Sequence, residues 1–300
     1  MNQINKYVWL VDTIHRAGRI SLKEINRRWV ADEISEGVEI PERTFHKWRI
    51  AVEELFGLII ENEQRGDYRY FILNDEELSR GGLRTWLFNS ISTSNLLSNN
   101  QSLNNRILLE DVPSGRQYLS VILDTMKHDN KLQITYQSFW RSEAKEYELE
   151  PYCVKLFRQR WYLVAKNNTI DKISIFSLDR IANIKKLPAT FEMPKDFSAE
   201  DFFKECFGVI ANDGTGVEHV LLKVNGNQPK YFRSLPLHSS QTETQTEKDY
   251  SIFAYDLRPT YDFQQEILSH IPFVEVLAPD WLRKEMAGKI SKMYKKYKSE

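Results

Sequence analysis

Two short stretches hold side chains whose types and spacing can do chemistry. In the first, Phe45, Trp48, Val52, Leu55 and Phe56 recur at the spacing of one helical face, so Arg43, His46, Lys47 and Ile50 fall on the opposite face at 100° per residue. Cationic and imidazole donors near a helix N-terminus suit base edges, and Ile50 suits a thymine methyl. Thr44 is counted with this DNA-facing set, and Arg65, in the polar turn Gln64-Arg65-Gly66-Asp67, suits a phosphate. The second stretch is Arg160-Trp161-Tyr162-Leu163-Val164-Ala165, where period-two alternation sets Trp161, Leu163 and Ala165 against Arg160, Tyr162 and Val164. That pattern fits a strand packed on one side and open to a ligand on the other. It equally fits an ordinary half-buried barrel strand.

Other chemistries lack their residues. There is no Gly-x-x-x-x-Gly-Lys, no His-Glu-x-x-His and no serine-histidine-aspartate or cysteine-histidine constellation, so no enzyme activity, cofactor or metal is expected. Cys153 and Cys206 stand far apart with no second cysteine or histidine nearby, which argues against a disulfide framework and a zinc site. The formal net charge of −1 points to no partner. Residues 1–73 carry 11 Lys or Arg against 12 Asp or Glu, so phosphate neutralisation by one copy is modest and specific DNA binding requires two. No run approaches the roughly 18 apolar residues that cross a bilayer, and the start lacks a signal-peptide core; a cytoplasmic location and no membrane partner are expected.

The elements that must position these residues follow from periodicity and punctuation. Ile4, Val8, Val11 and Ile14 predict a helix over 4–16 that ends near Gly18; Ser21 and Glu24 form a capping box for a second helix with Leu22, Ile25 and Trp29 on its stripe. Pro41 suits the first turn of a third helix, which stops at Gly57, and Leu58–Glu61 with Tyr68–Ile72 reads as a hairpin. Three helices and a hairpin are the order of a winged helix-turn-helix, whose last helix lies in the major groove. A helix from Glu76 to Leu97 carrying Leu83, Trp86, Leu87 and Ile91, a loop at Ser98–Ser102, a short strand at Ile107–Glu110 and a helix marked by Tyr118, Val121, Ile122 and Met126 then form a helical connector, expected to dimerise.

Five alternating segments between Leu132 and Leu187 predict a small, partly closed barrel. After a linker from Pro188 to Pro194, strands near 218–224, 250–257 and 274–277 alternate with helices and predict a small α/β sandwich. Within it Arg233, His238 and Gln241 either contact a ligand or partner subunit or belong to a surface turn. Lys292, Lys295, Lys296 and Lys298 read as a solvated basic helix end.

Tyr136-x-Ser138, Glu150-Pro151-Tyr152, Trp161-Tyr162-Leu163 and Leu178-Asp179-Arg180-Ile181, in this order, resemble the WYL domain, named for the triplet. With the winged-helix start and the C-terminal third, nearly the whole chain resembles bacterial WYL transcriptional regulators. The resemblance implies a multidomain α+β chain: a winged helix-turn-helix over 1–73, a connector and dimerisation region over 74–130, a WYL barrel related to the Sm and SH3 folds over 131–188, and a C-terminal extension α/β domain over 189–300. It also implies a pocket for a nucleotide or nucleic-acid ligand lined by Tyr136, Ser138, Lys155, Arg160, Tyr162 and Arg180. Guanidinium suits bidentate phosphate recognition and tyrosine suits stacking, in partial agreement. The other reading pairs Arg180 with Glu148 or Asp179 and leaves Tyr162 packed. The expected function is a ligand-responsive, homodimeric regulator of double-stranded DNA; a non-DNA protein-interaction module and a nucleic-acid-processing enzyme are the other readings.

Overall fold

Apolar residues at three- and four-residue spacing fold the start of the chain into helices α1 (Gln3–Ala17), α2 (Leu22–Ala31) and α3 (Glu42–Phe56). The structure, a computed structural model, describes residues 3–32, 35, 37–78, 82–98, 106–108, 115–211 and 213–298. The chain divides into two compact units, Met1–Glu110 and Asp111–Glu300.

In the first unit the Ser21 hydroxyl caps α2 by accepting from the Glu24 amide. Pro41 stands one residue ahead of α3 as its N-cap, and Gly57 ends the helix at φ +69, the left-handed conformation that glycine adopts without a Cβ clash. The hairpin is shorter than its sequence suggests: β1 (Ile60–Asn62) pairs antiparallel with β2 (Tyr70–Ile72). Ile20 adds a bridge to Tyr70, tying the α1–α2 turn to the hairpin. Phe45, Trp48, Val52 and Phe56 join Val8, Val11, Ile14, Ile25 and Trp29 in one core, while Leu55 lies outside it at 45% exposed.

The expected helix from Glu76 is two pieces. A 3-10 turn at Asp75–Leu78 is followed by α4 (Leu83–Ser98), which starts after Gly82 at φ +95. On α4 the core-facing positions are Phe88 and Ser92, whereas Leu83, Trp86 and Leu87 are exposed. Asn74, just ahead of the 3-10 turn, accepts from the Ile59 amide and donates to the Gly57 carbonyl. Ile107 and Leu108 are not in a strand; Leu109, Glu110 and residues 99–102 lie outside the described residues.

The second unit opens with α5 (Leu119–Lys127) and a five-stranded antiparallel sheet of β3 (Asn130–Tyr136), β4 (Lys145–Phe157), β5 (Arg160–Asn167), β6 (Lys172–Ser177) and β7 (Ile181–Thr190), in the order β6-β5-β4-β3-β7. Strand β7 runs through Pro188, inside the expected linker. The β4–β5 turn places Arg158 and Gln159 at φ +49 and +63, the signs of a type I′ hairpin turn. Leu163 and Ala165 enter a core with Ile122 of α5, Leu132, Ile134, Leu149 and Phe176, and Trp161 packs at its edge. Burying Leu163 completely contributes about 1.5–3 kcal/mol. Val164, on the opposite face, is also fully buried, so that face of β5 is open at its two ends, at Arg160 and Tyr162 and at Lys166.

The C-terminal part comprises α6 (Ala199–Phe203), β8 (Glu218–Asn225), α7 (Pro229–Ser234), β9 (Thr242–Thr246), β10 (Tyr250–Leu257), α8 (Tyr261–Ser269), β11 (Val274–Ala278) and α9 (Asp280–Lys298). From β8 to β11 this is the β-α-β-β-α-β order, with an antiparallel sheet β11-β8-β10-β9. Strand β9 had no apolar pattern to announce it, since all five of its residues are exposed.

Candidate functional site

In the first unit the face of α3 opposite the core presents Arg43, His46, Lys47 and Ile50 to solvent, with Thr44 half-buried beside them. Ile50, at 58% exposed, is an aliphatic side chain that the core does not use. Arg49, overlooked in the sequence, orients the hairpin: its guanidinium donates to the Ile60 carbonyl and lies 5.3 Å from the Tyr70 ring centre. Arg65 stands exposed beside Gly66 in the hairpin turn. Next to it Glu63 accepts from Arg19 at 2.6 Å and Arg69 at 3.0 Å, and these bonds hold its carboxyl below the usual range. The arrangement is a rigid helix with a polar, partly cationic outer face and a basic turn at its side.

In the second unit a cleft of about 890 Å³ lies along edge strand β6. Tyr136, Tyr162 and Arg180 line it together with Trp140, Ile173, Ile175, Ser177, the segment Val209–Ala211, Tyr261 and Asp262. Arg180 follows β6 in a 3-10 turn, Leu178–Arg180, and its guanidinium stacks on the Phe139 ring at 3.9 Å. Its Nε is buried with no hydrogen-bond acceptor, and no carboxylate pairs with it among the described residues. The neighbouring carboxylate, Asp179, turns elsewhere: it accepts from the Ser177 hydroxyl and, at 3.5 Å, from Arg160. The Tyr136 hydroxyl accepts from the Ser177 amide at 3.3 Å. Burial raises the pKa of both Tyr136 and Tyr162, so each phenol stays a neutral donor at ordinary pH.

Three of the six residues assigned to the pocket by resemblance do not line the cleft. Arg160 is the partner of Asp179. Ser138 shapes the β3–β4 loop, its hydroxyl accepting from the Trp140 amide at 3.3 Å. Lys155 lies under the C-terminal part, where its ammonium donates to the Gly208 carbonyl at 2.7 Å and sits 3.7 Å from the Phe203 ring centre; burial lowers its pKa. The clamp around this segment is tight. Asp262 Oδ2 accepts from the Val209 and Ile210 amides at 2.8 and 3.0 Å, and a Cβ on Gly208 would stand 2.2 Å from that oxygen. Lys155 from outside the cleft and Asp262 from its lining thus fix one wall of it.

The sequence could have signalled Phe139 and Trp140, two aromatics inside a polar loop; Trp140 is 94% exposed. Val209–Ala211 and Tyr261 carry no such signal, because only the tertiary fold brings them to β6.

Arg233, His238 and Gln241 do not line one cavity together. Arg233 is paired with Glu243, and Gln241 is spent on the chain itself, donating to the Phe232 carbonyl and accepting from the Leu237 amide and the Tyr255 hydroxyl. Only His238 borders an open hollow, of about 540 Å³ with Phe203, Cys206 and Leu237; burial lowers its pKa.

Comparison with known proteins places a WYL domain at residues 117–186 and a WCX domain at residues 216–294. No curated protein matches the chain. Among solved structures it is similar to proteasome accessory factor B/C (PafBC) of Arthrobacter aurescens, at 18% identity over 94% of this chain and 46% of that one, with a TM-score of 0.35. It is also similar to a CRISPR Cas-related protein, at 13% identity over 85% of this chain and 72% of that one, with a TM-score of 0.39. The chain therefore spans less than half the length of the PafBC chain. The Trp161-Tyr162-Leu163 triplet lies on β5 and the β-α-β-β-α-β domain follows it, so this chain carries a WYL domain followed by a WCX domain.

Proposed function

We propose that the chain is a DNA-binding transcriptional regulator, acting as a homodimer, in which the first unit is a winged helix-turn-helix and the WYL domain senses an anionic ligand. The observation that carries the DNA reading is α3, which buries Phe45, Trp48, Val52 and Phe56 while leaving Arg43, His46, Lys47 and Ile50 outward beside a hairpin with Arg65 at its turn. A helix held this way offers its N-terminal residues to the major groove and the hairpin to the flanking backbone. The strand order β6-β5-β4-β3-β7, with a 3-10 turn joining the two edge strands, supports the reading of the WYL domain as an Sm/SH3-like barrel. Arg180 supports the sensing role: it offers a guanidinium to a phosphate or carboxylate, and Tyr162, Tyr136 and Trp140 offer rings and hydroxyls to a flat, nucleotide-like body. The chemistry is recognition, with no catalytic step.

A gel-shift titration against the DNA upstream of the protein's own gene tests the reading. Reversing Arg43→Glu with Lys47→Glu removes two contacts of about 1–3 kcal/mol each, so affinity falls thirtyfold or more. Unchanged affinity in a variant with an unchanged melting temperature rules out the α3 face.

A further inference from the structure

Helix α9 changes character halfway along. Leu282 and Met286 are its buried residues, and from Ile290 to Lys298 every side chain is exposed. The ten residues 289–298 hold five lysines and no carboxylate, in a chain whose formal net charge is −1. Lys289 is matched by Glu285 at 3.0 Å, but Lys292 and Lys295 have no ion-pair partner among the described residues, and Lys298 rests 5.5 Å from the Tyr294 ring centre. Tyr294 and Tyr297 are 60% and 87% exposed. At 100° per residue Ile290, Met293, Tyr294 and Tyr297 share one stripe, and the lysines fill the rest of the circumference.

We infer that the solvent-exposed half of α9 contacts the sugar-phosphate backbone of duplex nucleic acid, a second nucleic-acid surface besides α3. Lysine, tyrosine and serine are the side chains that donate to phosphate oxygens without needing an acceptor in return, and eight of these ten residues are of those types. A helix of ten residues is about 15 Å long. Duplex DNA carries one charge per roughly 1.7 Å of axis, so this length meets several phosphates. The charge balance of the first unit supplies the need: residues 1–73, with 11 basic against 12 acidic side chains, bring no net positive charge to the duplex. A second copy of α9 is a poor occupant, since it would set lysines against lysines. A bilayer is another poor occupant, because the stripe has only two aliphatic side chains, Ile290 and Met293, and interfacial binding scales with the apolar area buried.

The inference rests on the DNA-binding reading, and one experiment separates the two. The full chain and the variant Lys292→Gln, Lys295→Gln, Lys298→Gln are titrated onto a mixed-sequence DNA duplex at several salt concentrations, alongside the α3 variant R43E/K47E. Loss of three phosphate contacts lowers the slope of log K against log salt by about 2 to 3. The melting temperature stays unchanged because all three positions are exposed. An unchanged slope in the lysine variant, with the α3 variant impaired, overturns this inference alone. No binding by the unaltered chain at low salt overturns both. Vesicles of mixed neutral and anionic phospholipid are the control: binding that the lysine variant loses, with its DNA slope unchanged, assigns the surface to lipid and overturns the inference, as does a change in mass from dimer to monomer with no change in slope.

Discussion

Arg180 and Arg233 both border strands of the second unit, and they are held in opposite ways. Arg233 is satisfied by its own chain: its Nε and Nη2 reach the two oxygens of Glu243 at 2.8 and 2.5 Å, and Nη2 also donates to the Ser251 hydroxyl at 3.1 Å. Arg180 is positioned by an aromatic ring, Phe139, and its obvious neighbour, Asp179, is taken by Arg160 and Ser177. One arginine closes a structural pair; the other is preorganised with a buried donor left open. An unsatisfied buried donor costs about 1–3 kcal/mol, a cost that an external anion relieves. Side-chain type alone does not mark a ligand-binding arginine. In the proposed sensing role, the direction of the nearest carboxylate is what separates Arg180 from Arg233.

The largest effect that bears on this contrast comes from beneath the cleft. Leu163 is fully buried next to Tyr162 on β5, so Leu163→Ala costs about 2–5 kcal/mol and lowers the unfolding midpoint in urea accordingly. Tyr162→Phe, one residue away and half-buried, stays within about 0.5 kcal/mol. Equal losses from the two substitutions would mean that Tyr162 is a packing residue and that the Arg160–Tyr162 end of β5 serves no ligand.

The second effect is on the ligand. With a nucleoside monophosphate and a short single-stranded oligonucleotide as probes, Arg180→Ala removes a charge-assisted hydrogen bond of about 1.5–3 kcal/mol, a tenfold to hundredfold loss of affinity by calorimetry. DNA affinity without the probe stays as it was. Arg233→Ala leaves probe affinity unchanged. The contrast breaks if both variants lose affinity alike, or if Arg180→Ala fails to fold. Trp140→Ala sharpens it further: at 94% exposed the side chain contributes little to stability, while loss of a stacked base costs about 1–3 kcal/mol of affinity.

The same contrast explains what the sequence made legible. The outer face of α3 is a local property: helical periodicity fixes which side Phe45 and Trp48 take, so Arg43, His46, Lys47 and Ile50 were readable one by one. Strands β3 to β6 and the packing of Leu163 were readable for the same reason. Lys155 and Arg160 were named for the pocket by resemblance, and they stand outside it because each found a nearer partner, Gly208 and Asp179, that no spacing rule reveals. Val209–Ala211 reach the cleft where Asp262, some fifty residues later, binds the Val209 and Ile210 amides. Strand β9 was missed because an exposed edge strand of Thr242-Glu243-Thr244-Gln245-Thr246 has no buried face to set a period.

That edge strand gives the smallest effect and a pH test of the satisfied arginine. The bonds from Arg233, helped by Ser251 and Thr246, pull the Glu243 carboxyl from its ordinary 4.5 to about 2. A carboxyl depressed on folding stabilises the folded state fully above its unfolded value. Its contribution fades as pH falls from about 4.5 towards 2, where the folded form also takes up the proton. Because both side chains keep solvent contact, the pair is worth only about 0.2–1 kcal/mol. Glu243→Gln therefore lowers stability slightly at neutral pH, and its deficit against the unaltered chain shrinks to nothing by about pH 2 in urea titrations. A deficit that persists unchanged at the acid end would show that Glu243 acts by packing β9 against β10, and Arg233 would then lose its standing as the electrostatically satisfied counterpart of Arg180.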